Sequence, residues 1–415
     1  MFVIYEKEKQ KLPIKVWLES IEQIEPGCLE QAINLSNLPF ALHHIALMPD
    51  THQGYGMPIG GVLTTENVIV PNAVGVDIGC GMIFSQTNIP AELLKNTQTK
   101  SGSLLQIIVG DILRNIPTGF AHHPKAQPLS EEFQEMVNST KPVAAQHEEL
   151  CKRIFPSCLH QVGTLGGGNH FIEVQEDEDG MIALMIHSGS RNVGKQVCDY
   201  FNKRAKALNE KWLSTVPSEM DLAFLPTDTA EGRDYIRFMN FSLAMAKENR
   251  QQMMTKVQEI LARYTEKFTG FTNIEFSMEV NAHHNYAAME HHFGKNVWVH
   301  RKGAIRVREG DYGIIPGAMG SFSYIVKGKG NPDSFMTCSH GAGRKMGRKE
   351  AARQISVEQT MVDLKQQGVV LGKNKKSDVA EESRFAYKDI DFVIHNELDL
   401  IEPVKKLKTV GVVKG

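Results

Sequence analysis

The stretch AVGVDIGCGM, Ala73–Met82, decides how the rest of the chain is read. Ala73-Val74-Gly75-Val76 reads as a short buried strand that delivers Asp77 and Cys80 into a turn built with Gly79 and Gly81. Glycine lets a turn adopt positive φ and lets a neighbouring group approach closely. A carboxylate and a thiol held together suit a divalent transition metal. The thiolate favours softer ions, and the carboxylate keeps Mn²⁺ or Fe²⁺ in play. The rival reading is a tight turn around a buried structural cysteine. The choice depends on what else the chain supplies.

Upstream, HHIALMPDTHQGYGMPIGG (residues 43–61) reads as a strand from Ile45 to Met48 running into a glycine-rich loop that carries Asp50 and His52. Loops after strands are where scaffolded sites tend to lie. A helix is expected from Pro26 to about Asn37, because proline suits the first helical turn. Downstream, VLTT, NVIVP and MIFSQ read as short strands around the Asp77/Cys80 turn. Residues 90–160 look mostly helical, with Leu104, Leu105, Ile108 and Ile112 at helical spacing. The break from Pro117 to Pro128 holds His122 and His123, but no hydrophobic scaffold flanks them, so it reads as a solvated loop. GTLGGGNHFIE (163–173) and HSGSR (187–191) flank a strand from Met181 to Ile186, and each places a histidine beside small residues. A long amphipathic helix is expected from about Arg233 to Tyr264, with Met239, Met245, Met253 and Met254 in the core. Strands follow at 297–307 and 322–326. With no clean linker, repeat or low-complexity tract, residues 1–415 read as one interwoven domain.

The 415 residues are 41% hydrophobic and 23% charged with a formal net charge of −2, which excludes a uniformly basic coat but not a local basic patch. MFVIYEKEKQ is charged and lacks a signal-peptide core, and no apolar run is long enough to span a bilayer. The six cysteines form no CxxC pair, which fits free thiols or metal ligands in a reducing, cytoplasmic setting. Arg301, Lys302, Arg306, Arg308, Arg344, Lys345, Arg348 and Lys349 gather positive charge beside glycine-rich turns and point to phosphate binding. Gly341-Ala342-Gly343, between His340 and Arg344, reads as a tight loop that presses backbone amides onto an anion.

Taken together, Asp77, Cys80, His170, His187 and either His283 or His284 are candidate metal ligands, each at a turn. No zinc-finger spacing or HExxH is present. Two divalent ions sharing one thiolate or carboxylate would clamp the oxygens of a phosphoryl transfer. The chain has neither a GxxxxGK[ST] loop nor the KxDG lysine of common nucleic-acid ligases. A nucleotidyl-transfer nucleophile must therefore be another residue. Histidine is competent, and His340 has anion-binding surroundings.

MPDTHQGYG, VGVDIGCGM, GTLGGGNHFIE, HSGSR, HHNY, HRKG, PGAMG, SHGAGR, YKDID and VVKG, in that order from about residue 43 onward, resemble the RtcB family of RNA-splicing ligases. The resemblance implies a single large α+β domain with central β-sheets flanked by helices. It implies GTP- and Mn²⁺-dependent joining of an RNA 3′-phosphate or 2′,3′-cyclic phosphate end to a 5′-hydroxyl end, in RNA repair or tRNA splicing. By resemblance Asp77, Cys80, His170, His187 and His284 hold two manganese ions, with Cys80 able to bridge. His284 is preferred over His283 because the family's ligand immediately precedes the asparagine, here Asn285. His340 resembles the histidine that takes GMP as a phosphoramidate. Asn169, His170, Phe171, Ile172, Glu173, Pro316, Gly317, Ala318, Met319, Ser323, His340, Gly341, Ala342, Gly343 and Lys414 fall where the family contacts the guanine nucleotide. Asp50 and Arg191 resemble residues acting on the RNA end, and an archease-like activator is an implied partner. Ala318 departs from the serine the family often carries, which removes one hydroxyl contact to the nucleotide. Two rivals stand beside this reading. One is a metal-dependent cyclic phosphodiesterase that does not ligate. The other is a non-enzymatic RNA binder, against which the Cys/His set argues, since binding RNA needs no such cluster.

Overall fold

Two β-sheets that meet along a seam carry the site, and helices pack on their outer faces. The computed structural model describes residues 1–375 and 378–415. The first sheet has six strands in the order Phe2–Ile4, Ile14–Val16, Ile45–His52, Ile59–Thr65, Lys295–Lys302 and Asn285–His292. The second has eight. Its path runs Phe276–His283, Gly81–Pro90, Met181–Ser188, Phe171–Glu176, Ile401–Lys414, Phe322–Gly328 and Tyr312–Ile315, with Val370–Gly372 added in parallel to Ile401–Lys414. Strand pairing is otherwise antiparallel among the described residues, except between Ile14–Val16 and Ile45–His52.

Side chains alternate across a strand, so each strand of the second sheet feeds two cores. Ile83, Ile172, Val174, Leu184 and Ile186 face outward against the helix Leu104–Asn115 and the long helix Ala230–Thr269. Met82, Phe84, Phe171, Met185, Ile314, Ile325 and Leu407 face the other way and pack on one another. That inner packing is possible because the end strands Phe276–His283 and Tyr312–Ile315 approach, curling the sheet towards a barrel. Each of these fully buried side chains contributes about 1.5–3 kcal/mol.

The long helix of 40 residues ties the layers together. Thr229 caps its start by accepting the Gly232 N–H, and Gly270, at φ 75°, ends it in the left-handed conformation that favours glycine. Phe238, Met239 and Met245 bury in a helical layer with Phe133, Leu150 and Phe201. Further along, Met253, Met254, Val257 and Leu261 lie under the second sheet. Between the two halves sit Asn249 and Arg250, both fully buried.

The α+β class and the long helix agree with the sequence reading. Three local expectations do not. Ala73-Val74-Gly75-Val76 is not a strand. Pro71–Val74 is a short buried helix that stops at Gly75, whose φ of 103° no helix continues through. Pro71 supplied the missed signal, since a short apolar run does not by itself distinguish a strand from a buried helix. Asp50 and His52 are not on a loop, because the strand Ile45–His52 runs on through them. NVIVP contributes only the short strand Val68–Ile69.

Candidate active site

Antiparallel register brings the dispersed candidates to one end of four neighbouring strands. Phe171 pairs with His187, His187 with Met82, and Met82 with Ala282. Immediately beyond those rows lie His170, Cys80 and His284. Cys80 Sγ is 3.5 Å from His170 Nε2 and 3.2 Å from His187 Nε2. Asp77 Oδ2 lies 3.4 Å from His170 Nε2. The His284 ring completes the group, its centroid 5.1 Å from that of His187.

Hydrogen bonds behind the rings fix which nitrogen faces the cluster. His170 Nδ1 bonds to the Leu165 carbonyl at 2.9 Å, and His187 Nδ1 bonds to that of Asn169 at 3.2 Å. Each Nε2 is thereby left as the free donor atom. The turn itself is clamped from the long helix. Arg250 donates to the carbonyls of Gly79 and Ser188 at 2.9 and 3.0 Å, and to Asn281 Oδ1 at 2.8 Å. Gly79, at φ 82°, runs so close to that helix that an added Cβ would lie 2.9 Å from the Cβ of Ala246.

The electrostatics of the cluster fit a cation. Burial, reinforced by Asp77 alongside, raises the Cys80 thiol well above its usual range. Burial opposes ionisation of Asp77 too, but contact with His170, together with Cys80 and Arg191, holds that carboxyl below its ordinary value. Burial, then neighbouring positive groups, drive His187 and His284 well below the normal histidine range, so both are neutral imidazoles. The buried Nδ1 of His284 has no hydrogen-bond partner among the described residues. Neutral imidazoles, a thiol, a carboxylate and an orphaned ring nitrogen together are a donor set that a divalent metal completes. His283 is turned away, its Nδ1 3.1 Å from both the Arg250 guanidinium and the Gly79 carbonyl.

Next to this cluster His340 stands on the loop after the strand Thr337–Ser339, its ring centroid 4.8 Å from that of His284. Asp50, fully buried, grips it twice. Oδ2 is 2.6 Å from His340 Nδ1 and accepts the His340 backbone N–H at 3.1 Å. Nε2 is left as the free nitrogen. Gly343, at φ 71°, closes the loop, and an added Cβ there would lie 2.2 Å from the Asp50 carbonyl oxygen.

A cleft of about 950 Å³ runs past both features. Asn169, Phe171, Glu173, Pro316, Gly317, Ala318, Met319, His340, Gly341, Ala342, Gly343 and Lys414 all line it, together with Asp77, Cys80, His187 and His284. Inside it, burial pushes the Glu173 carboxyl up to about 7, against the bonds that Gln175 and Thr409 donate to its Oε2. Glu382, which the sequence reading missed, also lines the cleft and anchors three cations. It lies 3.3 Å from Lys414 Nζ, 3.4 Å from Arg344 and 3.5 Å from Arg348.

Several expected positions lie elsewhere. The Ile172 side chain packs into the outer core, on the opposite face from Phe171 and Glu173. Ser323 sits beneath the cleft floor, accepting the Gly317 N–H at 3.2 Å. His170 faces the Cys80 cluster and is not part of the cleft wall. Asp50, expected at the RNA end, is enclosed behind His340. Arg191 lies beside Asp77, where it bonds to Thr164 Oγ1 and the Gly119 carbonyl at 3.0 Å each. Arg301 is no phosphate-binding residue. It is fully buried in a two-point pair with Glu290 at 2.6 and 3.0 Å. His122 and His123 do lie on a loop outside the metal cluster, with His123 Nε2 3.3 Å from the Gly163 carbonyl. Sequence reasoning also missed Arg250, for which a signal existed. It is a lone charge in the apolar stripe Ala246, Met253, Met254 and Val257.

An α+β scaffold that sets a thiol–imidazole cluster beside a carboxylate-held histidine in an anion-collecting cleft describes a metal-dependent group-transfer enzyme. A family model described as "tRNA-splicing ligase RtcB" matches residues 31–415. An RNA-splicing ligase RtcB of Escherichia coli (strain K12) is 37% identical over 417 residues, covering 98% of each chain. A tRNA-splicing ligase RtcB of Methanococcus maripaludis is 30% identical over 471 residues, covering 99% of this chain and 96% of the other. The chain belongs to the RtcB family of RNA-splicing ligases and is an enzyme of that class. No helix among the described residues is long and apolar enough to cross a membrane.

Proposed function

We propose that this enzyme joins an RNA 3′-phosphate or 2′,3′-cyclic phosphate end to a 5′-hydroxyl end, consuming GTP and depending on Mn²⁺, in RNA repair or tRNA splicing. The observation that carries the reading is the Asp50–His340 pair beside the cysteine–histidine cluster. Asp50 keeps the proton on Nδ1, so the lone pair is on Nε2. Nε2 attacks the α-phosphorus of GTP, the bond to pyrophosphate breaks, and a phosphoramidate forms on His340. Where the RNA end is a 2′,3′-cyclic phosphate, water first attacks its phosphorus and breaks the bond to O2′. An oxygen of the RNA 3′-phosphate then displaces Nε2 from the GMP phosphorus. Finally the 5′-hydroxyl attacks the activated 3′-phosphate, releasing GMP and closing the phosphodiester. Asp77, Cys80, His170, His187 and His284 would hold the metal, two ions if Cys80 bridges. A bound divalent ion would neutralise developing charge and align the attacking and leaving oxygens.

Guanine is favoured by chemistry at the cleft's inner wall. Its N1–H and N2 amino group offer two adjacent donors, and an ionised Glu173 offers Oε1 to them, since Oε2 already accepts from Gln175 and Thr409. Lys414, Arg344 and Arg348, against one Glu382, leave net positive charge for phosphates. Residues 1–415 act in this reading as one catalytic domain, with an archease-like protein as a candidate activator.

The test is incubation with α-labelled GTP and Mn²⁺. An acid-labile, base-stable adduct on His340 is expected, and its absence with RNA joining intact would overturn the mechanism. A cyclic phosphodiesterase would use the Asp50–His340 pair only as a general base. It would open cyclic ends at the same rate without GTP and form no adduct.

A further inference from the structure

Behind His340 lies a second carboxyl group that the reaction does not touch. Glu397, just after the helix Ile390–Asn396, is fully buried. Its Oε2 accepts the backbone N–H of Ser339 at 2.8 Å. The next amide, that of His340, goes to Asp50 Oδ2 at 3.1 Å. Two successive amides of the segment that presents His340 therefore each end on a buried carboxyl group from a distant part of the chain.

The surroundings of Glu397 are poor in compensation. Asp50 on the strand Ile45–His52, the Cys338 thiol on the strand Thr337–Ser339, and Asp399 two residues on are the titratable groups that bear on it. Arg301 bears on Cys338 and is already bound by Glu290, Lys329 Nζ is spent on the Leu398 carbonyl, and Lys388 bears on Asp50. A carboxylate without a paired cation is costly in a dry interior. Burial, with Asp50 adding to it, outweighs the Ser339 bond and pushes the Glu397 carboxyl up to about 8. Oε2 is occupied as an acceptor and Oε1 has no partner among the described residues, which leaves Oε1 as the oxygen that would carry a proton.

We infer that Glu397 is a positioning residue for the guanylylation of His340, acting as a neutral hydrogen-bond acceptor that fixes the Ser339–His340 segment and leaves Asp50 to carry the negative charge at the imidazole. The inference rests on the ligase reading above. It explains why a second carboxyl sits where a charge would harm. An ionised Glu397 would repel Asp50 and loosen the pair that orients Nε2.

The test is single-turnover formation of the GMP adduct, with GTP titrated from about pH 6 to 9.5, in the wild type, Glu397→Gln and Glu397→Ala. Gln keeps a neutral acceptor for the Ser339 N–H. It should match the wild-type rate near neutrality and hold that rate above about pH 8, where the wild type declines. Ala should lower the rate constant about tenfold or more with the KM for GTP unchanged, because other segments hold the nucleotide. If Ala fails to fold, seen as loss of a cooperative melt, the Gln profile still decides. A Gln profile that superimposes on wild type, a Gln rate as low as that of Ala, or a loss confined to KM would overturn the role. A wild-type enzyme that forms no adduct at any pH overturns the ligase reading itself, and this role with it.

Discussion

Asp50→Asn tests the histidine's activation most directly. Asparagine keeps the volume of the buried carboxylate, and its amide oxygen can still accept from the His340 backbone and Nδ1, so the loop remains in place. The negative charge is what disappears. Two bonds are involved, at 2.6 and 3.1 Å. A hydrogen bond to a charged group contributes about 1.5–3 kcal/mol and a neutral one about 0.5–1.5. Neutralising the acceptor therefore removes on the order of 2–3 kcal/mol, concentrated where the imidazole becomes cationic as Nε2 bonds to phosphorus. That corresponds to about 30- to 150-fold in the rate constant. Asp50→Ala should cost more, because it leaves both donors of His340 without an acceptor in a closed pocket. The assay is single-turnover adduct formation at saturating GTP and Mn²⁺, with a thermal melt to show that both proteins are folded. An Asn variant that forms adduct within about threefold of the wild-type rate, or one impaired only in its KM for GTP, would refute the reasoning.

Four further outcomes are expected. Cys80→Ser should weaken Mn²⁺ binding and reduce the proton release that accompanies it, since a thiol held protonated by burial must ionise to bind. Calorimetry in buffers of different ionisation enthalpy checks both, and Zn²⁺ should bind the wild type more tightly than Mn²⁺. Glu173, pushed up to about 7, is protonated below that pH and loses one acceptor, so GTP affinity should rise as pH increases through about 7. Glu173→Gln should abolish that dependence and cost about 1.5–3 kcal/mol in binding, read by equilibrium titration. Arg301→Gln breaks a buried pair and should destabilise the fold by about 3–5 kcal/mol in a denaturant melt. In contrast, Arg348→Ala, on the exposed side of the cleft, should leave stability alone and reduce the RNA-binding salt slope by about 0.7.

How much of this was legible in the sequence depended on whether a signal was local. Turn chemistry at Asp77–Gly81 and the histidines at strand junctions were visible, because each motif carries its own glycines and its own strand. The long helix was visible from its apolar period. Pairings across the chain were not. Nothing near Asp50 indicates that it grips His340, and the partners of Arg301 and Glu382 are chosen by tertiary packing. Positive charge is equally ambiguous in one dimension. Arg301 and Arg348 both lie beside glycine-rich turns, yet one fills the interior and the other faces solvent. Ile172 shows the opposite error. The side chains of a contiguous segment alternate when it is a strand, so those of Phe171 and Glu173 face the cleft while that of Ile172 packs in the outer core.

His284 sits where one strand leaves the second sheet at His283 and the next enters the first sheet at Asn285. Its N–H bonds to the Cys80 carbonyl at 2.9 Å, and its own carbonyl accepts the Ala304 N–H at 3.1 Å. A single residue is thus the rivet between the two sheets, and its side chain faces the cysteine–histidine cluster. The angle between the sheets and the affinity of that cluster for a cation are then thermodynamically linked. A rotation of one sheet against the other that moves His284, be it from a distant substitution or a bound protein, would shift the affinity of a cation held by that cluster. By reciprocity, cation capture must resist that rotation by the same factor.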